Sequence, residues 1–288
     1  MIRNLLVITG VGFVLALAGI GGAVALVGND VQRHDWIWVV SEGHGGDDSV
    51  RFERGEVDPE VTRTLAWTGG EQLSVLMPGQ VVYQQGEQAG VTVTGPKGMA
   101  DRVRLENGRL TLTGYDEDEE ERGYIRWSRN GIRAWSATDA LKVVVTAPSV
   151  TRFEASADGD LSIRDYDQPT LDLTVNGSGD VRVRGRATTL TLTMNGSGDA
   201  DLDNLVVSDA RVTVNGGGDA RVGPTGRADI EVSGRGDVEL TEQPTTLNQQ
   251  VSGSGDVGVL VEHSEQTVTE FPRVTTSRTV TVPTDETR

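Results

Sequence analysis

A five-residue glycine-rich motif returns about every twenty residues in the second half of the chain. Asn-Gly-Ser-Gly-Asp occupies residues 176–180 and 195–199, and Asn-Gly-Gly-Gly-Asp occupies residues 215–219. Looser copies lie at 233–237 and 252–256, and a degenerate first copy ends at Asp160. A fixed period in this range is the signature of a solenoid, a propeller or a repeat array.

Apolar and polar residues alternate on both sides of the motif. Leu171, Leu173 and Val175 precede the first full copy, and Val181 and Val183 follow it. The equivalent residues are Leu190/Leu192/Met194, Ala210/Val212/Val214 and Ala228/Ile230/Val232 before the other motifs, and Leu161/Ile163, Ala200/Leu202, Ala220/Val222, Val238/Leu240 and Val257/Val259 after the others. A period of two predicts half-buried strands with one apolar face. Stacking of rungs of about twenty residues would cover that face, so the sequence predicts an all-β protein with a parallel β-solenoid.

The motif has the composition of a tight turn. Because glycine adopts positive φ at little cost, we expect the motif glycines to let the chain reverse direction on every rung. Asparagine, serine and aspartate side chains hold such turns through hydrogen bonds to the backbone. The predicted structural turn residues are Asn176, Gly177, Gly179, Asp180, Asn195, Gly196, Gly198, Asp199, Asn215, Gly216, Gly218, Asp219, Gly234, Gly236, Asp237, Gly253, Gly255 and Asp256.

The stacked aspartates have a second interpretation, a calcium site. Glycine- and aspartate-rich turns bind calcium in nonapeptide β-rolls, which makes Asp180, Asp199 and Asp219 candidate calcium ligands. Those sites need a nine-residue period, whereas this chain has one aspartate per longer rung. Aspartates stacked at a strand spacing of about 4.8 Å must point apart, bond to turn amides or share a cation. We favour the role in the turn over calcium.

The N-terminus carries one long apolar run. Residues 5–28 contain no charged side chain, and about 20 apolar residues suffice for a helix that crosses a bilayer. Arg3 precedes the run and Asp30 follows it, which predicts a cytoplasmic N-terminus and an extracytoplasmic remainder. The run is predicted to be a transmembrane helix acting as an uncleaved signal anchor, which its length favours, or a signal peptide cleaved near Ala25.

The region between the apolar run and the repeats is mixed and then β-rich. Trp36 and Trp38 suit either a membrane interface or a short strand. Asn107-Gly108 is a strong hairpin signal, and the Arg/Trp-rich stretch 124–135 fits a contact surface or a pair of strands. The predicted domains are 1–28 (signal anchor or signal peptide), 29–66 (linker), 67–148 (N-terminal β-lobe), 149–262 (repeat β-solenoid) and 263–288 (polar tail).

Composition excludes several classes of function. The chain has 43 acidic and 26 basic side chains and a net charge of −17, so we expect no nucleic-acid partner. It has no cysteine, which removes disulfides and thiolate chemistry. His34, His44 and His263 are scattered outside the repeats, so no triad or histidine metal site is predicted. We expect no catalytic residue and no cofactor. A polysaccharide-active β-helix enzyme, a hydrolase or lyase, is the alternative, and two acids converging in a groove would favour it.

The Gly-Ser-Gly-Asp turns resemble those of the putative auto-transporter adhesin, head GIN domain family of bacterial envelope proteins. The patterns Leu73-x-Val75, Pro78-x-x-Val81-x-Tyr83-x-x-Gly86 and Val91-x-Val93-x-Gly95 are similar to the opening strands of that family. The resemblance covers roughly residues 73–261. It implies a right-handed β-helix-like fold outside the cytoplasm, with no established catalytic residues to carry over.

The predicted function is therefore non-catalytic. We expect an extracytoplasmic structural or adhesin-like binding protein, in contact with a bacterial membrane through residues 5–28 and presenting a rigid polar face of its solenoid to an envelope glycan or protein. Its predicted location is the cell envelope, either anchored in the inner membrane and facing the periplasm or exported after cleavage.

Overall fold

The computed structural model is mainly β-structure in the residues that it describes. It describes residues 36–42, 50–54, 58–115, 123–128, 131–136, 138–156, 158–260 and 276–280. The predicted transmembrane segment 5–28 lies outside these residues, and no helix within them is long and apolar enough to span a membrane. The chain divides into two compact units, one of Met1–Glu60 with Gly114–Ala140 and one of Val61–Thr113 with Leu141–Arg288.

Within the described residues, all elements but one are strands. In chain order they are β1 (Trp36–Glu42), β2 (Val50–Arg54), β3 (Glu60–Leu65), β4 (Gln72–Leu76), β5 (Gly79–Gln85), β6 (Gly90–Pro96), the short helix α1 (Lys97–Ala100), β7 (Val103–Glu106), β8 (Arg109–Leu112), β9 (Gly123–Ser128), β10 (Gly131–Ser136), β11 (Lys142–Ala147), β12 (Arg152–Ala155), β13 (Gly159–Asp167), β14 (Thr170–Val175), β15 (Val181–Met194), β16 (Ala200–Val214), β17 (Ala220–Pro224), β18 (Arg227–Gly234), β19 (Val238–Leu240), β20 (Thr246–Gly253), β21 (Val257–Val259) and β22 (Thr276–Val280).

The first unit contains a four-stranded antiparallel sheet. Its strand order is β10-β9-β1-β2. Trp36 and Trp38 lie in β1, and the stretch 124–135 forms the antiparallel pair of β9 and β10. The buried side chain of Tyr124 stacks on Trp135 with ring centroids 5.8 Å apart. This aromatic pair links β9 to β10 across the sheet.

Strands of the second unit stack in two parallel columns. Column A contains the segments before each motif, namely β4, β12, β14, the second halves of β15 and β16, β18 and β20. Column B contains the segments after each motif, namely β5, β13, the first halves of β15 and β16, β17, β19 and β21. The result is a β-solenoid of about five turns, so the predicted parallel stacking is confirmed.

The strands that precede the repeats belong to the same sheet. β4 pairs in parallel with β12, and β5 pairs in parallel with β13. Asn107-Gly108 joins β7 to antiparallel β8, and both residues have positive φ, 49° and 79°. Residues from the predicted lobes 67–148 and 149–262 thus form one continuous sheet, while Gly114–Ala140 belongs to the first unit.

The solenoid interior is filled by the apolar residues that the alternation predicted to face inward. Leu171, Leu173 and Val175 in column A are at most 1% exposed, as are Val181 and Val183 in column B. Each buried methylene contributes about 0.8 kcal/mol to folding. Because every rung buries several such side chains against its neighbours, these two inward rows supply the main driving force for stacking.

Three aromatic rings pack edge-on inside the first rungs. The ring centroids are 5.0 Å apart for Tyr83 and Phe153 and 6.1 Å apart for Phe153 and Tyr166. Tyr83 donates a hydrogen bond to the carbonyl of Ala147 at 2.9 Å, and Tyr166 donates one to the carbonyl of Thr170 at 2.5 Å. Burial raises the pKa of both phenols, so both hydroxyls remain protonated donors at neutral pH.

The last rung of the repeats is less well buried than the others. Gln249 is half-buried and is the register partner of Ile230 in the rung before it. Val259 is 37% exposed and Leu260 is 54% exposed. Within the predicted polar tail, β22 pairs in parallel with β20. The inward positions therefore no longer bury their apolar side chains in β21, the last described strand of column B.

Candidate functional site

The motif corner, residues 176–180, 195–199, 215–219, 233–237 and 252–256, connects column A to column B. We expected its glycines to have positive φ, and for most of them this is wrong. Of the glycines in these five copies, only Gly234 and Gly253 have positive φ, at 151° and 130°. The motif therefore needs glycine for another reason.

That reason is the close approach of neighbouring turns. A Cβ on Gly198 would overlap the backbone carbonyl oxygen of Gly179 in the preceding rung, and a Cβ on Gly216 would overlap that of Gly196. A Cβ on Gly217 would meet no atom within 4 Å, and this is the position where the first two full copies have serine. The other motif glycines with such an overlap are Gly179, Gly196, Gly218, Gly234, Gly236, Gly253 and Gly255.

The closing aspartates form a ladder along the motif corner. The backbone N–H of Asp199 donates to Oδ1 of Asp180 at 3.3 Å, and that of Asp219 donates to Oδ1 of Asp199 at 2.9 Å. The N–H groups of Asp237 and Asp256 donate in the same way, each at 2.8 Å, to the aspartate one rung before. Each of these carboxylates therefore accepts a charge-assisted hydrogen bond from the turn of the next rung.

Asparagine side chains form a second ladder at the start of the motif. Nδ2 of Asn195 donates to Oδ1 of Asn176 at 2.8 Å, and Nδ2 of Asn215 donates to Oδ1 of Asn195 at 2.9 Å. Asn195 thus uses its donor toward one neighbour and its acceptor toward the other. Stacked amides hold the turns of three successive rungs in one register.

The candidate calcium ligands Asp180, Asp199 and Asp219 are brought into one row by this stacking. One oxygen of each is directed to a backbone amide by the ladder. In the described part of the chain, no group of three or more histidine, cysteine, aspartate or glutamate residues is arranged to hold a metal ion. The ladder thus engages one oxygen of each of these aspartates with a turn amide, as the interpretation based on turn chemistry predicts.

Outward side chains of column B alternate in charge from rung to rung. Arg182, Asp201, Arg221 and Glu239 follow one another in register. Nε of Arg221 donates to Oε2 of Glu239 at 2.5 Å, and this hydrogen bond raises the pKa of the guanidinium. Arg221 and Glu239, on successive rungs, thus form an ion pair within the face.

One outward row of column A carries hydroxyls in the middle rungs and planar polar groups in the later ones. Thr174, Thr193 and Thr213 are consecutive register partners, and all three are half-buried. The next partners along the same row are Glu231 and Gln250. The face is therefore polar over its whole length, and its chemistry changes toward the C-terminal rungs.

A trough with a volume of about 290 Å³ crosses three of these later rungs. Two rows of outward side chains form its walls, with backbone between them, because alternate residues of each strand point inward. The trough residues are Arg211, Asp229 and Asn248 in one wall, Thr213, Glu231 and Gln250 in the other, and Val212, Ile230 and Gln249 between them.

Asp229 is the most firmly held side chain of the trough. Nδ2 of Asn248 donates to its Oδ1 at 2.8 Å, and Nε of Arg227 lies 3.0 Å from both carboxylate oxygens. Nη2 of Arg211 lies 3.7 Å from its Oδ2. The hydrogen bond from Asn248, together with the two guanidinium groups, lowers the pKa of this carboxyl. Asp229 is therefore an ionised acceptor in a fixed orientation at neutral pH.

Sequence reasoning identified the motif residues but did not single out the trough. The relevant residues, such as Asp229 and Glu231, are ordinary outward positions of an alternating strand. The signal that could have found them is the register. Aligning the rungs on their motifs places Arg211, Asp229 and Asn248 in one row, and that row contains complementary planar groups.

Most of the strands and corners described above lie within the match to a known protein family. The family described as "Putative auto-transporter adhesin, head GIN domain" matches residues 71–244. The chain belongs to this family. The match contains β4 to β19, so it includes the strands of both columns except β20 and β21, and the trough residues up to Glu231. No curated protein matches the chain.

Solved structures were found that are similar to the head GIN domain chain to different degrees. The crystal structure of a "putative adhesin" from Bacteroides fragilis NCTC 9343 has a TM-score of 0.53 at 18% identity, and the alignment covers 70% of this chain and 97% of that one. A "putative lipid binding protein" from Parabacteroides distasonis ATCC 8503 has a TM-score of 0.39 at 14% identity, with 70% and 97% covered. The first of these likenesses shows a shared fold.

Proposed function

We propose that the chain is a non-catalytic, adhesin-like binding protein of the bacterial cell envelope. The observation that carries this proposal is the set of in-register polar rows on the outer faces of columns A and B, which rigid stacking holds in place. Such a surface suits repeated weak contacts with an envelope glycan or protein, since side chains that are already ordered lose little entropy on binding. The family description and the name of the structural neighbour from Bacteroides fragilis agree with a binding role.

We further propose that residues 5–28 tether this surface to the membrane. The support is the uncharged run of the sequence, followed by Asp30, which favours export of the remainder. The solenoid would then face the periplasm, or the exterior if the chain is cleaved near Ala25. Right-handed winding of the solenoid is part of the same proposal, and it rests on the family resemblance.

A polysaccharide-active enzyme is the second candidate, and one observation favours it. Asp229 and Glu231 lie in opposite walls of one trough, and glycoside hydrolases use two carboxyl groups. Such an enzyme needs one carboxyl that stays protonated, which burial achieves by raising its pKa. Here the pKa of Asp229 is lowered and Glu231 is exposed. The lowered pKa of Asp229 suits a carboxylate that accepts hydrogen bonds from hydroxyl groups, and it is opposite to the raised pKa that a general acid needs.

The proposed function is tested with isolated cell envelopes and the chain lacking residues 1–28. We expect saturable binding of this protein to the envelope fraction, and we expect the full chain with a C-terminal tag to fractionate with membranes. Release of new reducing ends from polysaccharides, lost in Glu231→Gln, would instead establish the enzyme. Absence of envelope binding would refute the binding proposal. Recovery of the full chain with cytosolic proteins would refute the tether.

A further inference from the structure

We propose that the trough is a binding site for a neutral, linear carbohydrate chain. The inference rests on the proposed binding function and deepens it, because it assigns the contact to one part of one face. It is carried by the shape of the trough, by the donors and acceptors in its walls and by its charge balance.

The shape of the trough suits an extended chain. Its walls run from rung to rung, along the rows Arg211–Asp229–Asn248 and Thr213–Glu231–Gln250. Each wall offers one polar side chain per rung, at the strand spacing of about 4.8 Å. A linear ligand lying along the solenoid axis would meet a new pair of polar groups at every step. The volume of about 290 Å³ is at the lower end of the range for small-molecule pockets.

The chemistry of the walls suits hydroxyl groups, which donate and accept at the same time. Asp229 and Glu231 supply acceptors, Arg211 supplies donors, and the amide of Gln250 supplies both. Planar carboxylate, amide and guanidinium groups each present two atoms that adjacent hydroxyls of a sugar ring can bond together. Asp229 is already oriented by Asn248 and its arginine neighbours, so it would bind without further ordering.

The charge of the trough selects a neutral ligand. Arg211 and Arg227 carry two formal positive charges, and Asp229 and Glu231 carry two formal negative ones, so the charges in and beside the trough sum to zero. An anionic polymer would be repelled by Glu231 and by a chain of net charge −17. The outward residues of the walls are all polar, so an acyl chain would find no apolar surface there.

The test uses the chain lacking residues 1–28, titrated by calorimetry with cellohexaose, xylohexaose, maltohexaose and chitohexaose. We expect at least one of these neutral hexasaccharides to bind and the double variant Glu231→Ala/Gln250→Ala to weaken it at least tenfold. Both residues are exposed, so the variant is expected to keep the wild-type unfolding midpoint. The matched control is Asp172→Ala, an exposed acid on the same face outside the trough, which should leave binding unchanged.

Each result decides the assignment. Binding that the double variant loses and the control keeps supports the trough. Binding that the double variant keeps overturns the trough but leaves the envelope-binding function in place. Failure of all four hexasaccharides to bind, while isolated envelopes still bind the same protein, also overturns the trough and redirects the proposed function to a protein ligand. Preferential binding of polygalacturonate, an anionic chain, would contradict the charge argument.

Discussion

Each rung has two corners, and they differ in whether their number of residues varies from rung to rung. The motif corner has a constant length. In every rung the same number of residues separates the first inward residue of column A from the first inward residue of column B. Leu171 to Val181, Leu190 to Ala200 and Ala210 to Ala220, for example, are each ten residues apart. The return segment, which we call the variable corner, takes 8 to 10 residues between the same positions. Its end points are Leu161 and Leu171, Val181 and Leu190, Ala200 and Ala210, Ala220 and Ala228, and Val238 and Leu247.

The register of the sheet shows the same difference. All three shifts in pairing along column B occur toward the variable corner, between Ile163 and Tyr166, between Arg182 and Arg184, and between Leu202 and Val207. The variable corner thus absorbs an extra or missing residue as a bulge. The motif corner has no room for one, because successive backbones touch there. Contact between the backbones of successive rungs, more than turn chemistry, therefore explains why glycine recurs in the motif.

Insertion of one residue gives the largest expected contrast between the corners. A serine inserted between Ser197 and Gly198 would keep Gly196 and Gly198 from both aligning with their partners in the rungs on either side, and would displace Asp199 together with Gly198. We expect a loss of unfolding free energy of about 4 kcal/mol or more, in the range reserved for severe disruption. Guanidinium unfolding followed by circular dichroism measures it.

The matched insertion is a serine between Ala187 and Thr188 in the variable corner. It lengthens the nine-residue return from Val181 to Leu190 to ten, which is the length of the returns before and after it. We expect a loss of about 1 kcal/mol or less, since surface segments tolerate added residues at low entropic cost. Equal losses for the two insertions would show that the corners do not differ in the way proposed.

Glycine substitution separates backbone contact from flexibility within the motif corner. Gly198→Ala places a methyl group against the carbonyl of Gly179, and we expect it to cost about 3 kcal/mol, as overpacking of a rigid site does. Gly217→Ala removes the same amount of backbone freedom at a position with nothing within 4 Å. The thermal midpoint of Gly217→Ala should therefore stay within a few degrees of the wild type. Similar midpoints for both variants would favour flexibility as the reason for glycine.

The comparison of corners also explains what could be predicted from the sequence. Alternation along a strand is a local property, so Leu171, Leu173 and Val175 were predicted to be buried without knowledge of their neighbours. The role of Gly198 depends on Gly179, which is nineteen residues away and becomes a contact only when the rungs stack. Turn chemistry alone suggested positive φ, whereas the stacked carbonyl is the actual constraint.

The candidate site was harder to predict than the fold for the same reason. The two walls of the trough combine residues from three rungs, and no single strand shows an unusual pattern. The ladder of aspartates was partly foreseen, since bonding to turn amides was one of three interpretations. The amide proved to be that of the next rung, as in the pair of Asp199 and Asp219. Contacts between rungs are the part of this structure that the residue pattern along a single strand does not predict.

The asparagine ladder gives a smaller test of the motif corner. Asn195→Ala removes the side-chain bonds to Asn176 and Asn215, and we expect a loss of about 1 to 2 kcal/mol, because each hydrogen bond contributes about 1 kcal/mol net. Ser197→Ala, an exposed position in the same turn, is the control and should change the unfolding free energy little. An unchanged midpoint for Asn195→Ala would mean that the backbone contacts alone fix the register.

The ion pair between Arg221 and Glu239 should have the smallest effect, although its hydrogen bond is among the shortest on the surface of column B. Their side chains are 63% and 31% exposed, and water and salt screen such pairs, so they typically contribute little to stability. Arg221→Ala should therefore lower the unfolding midpoint far less than Gly198→Ala does, and raising the salt concentration should reduce the difference from wild type further. If Arg221→Ala were as destabilising as the glycine substitution, the outward rows would stabilise stacking as much as the motif corner does. The distinction between the face that presents side chains and the corner that holds the rungs together would then fail.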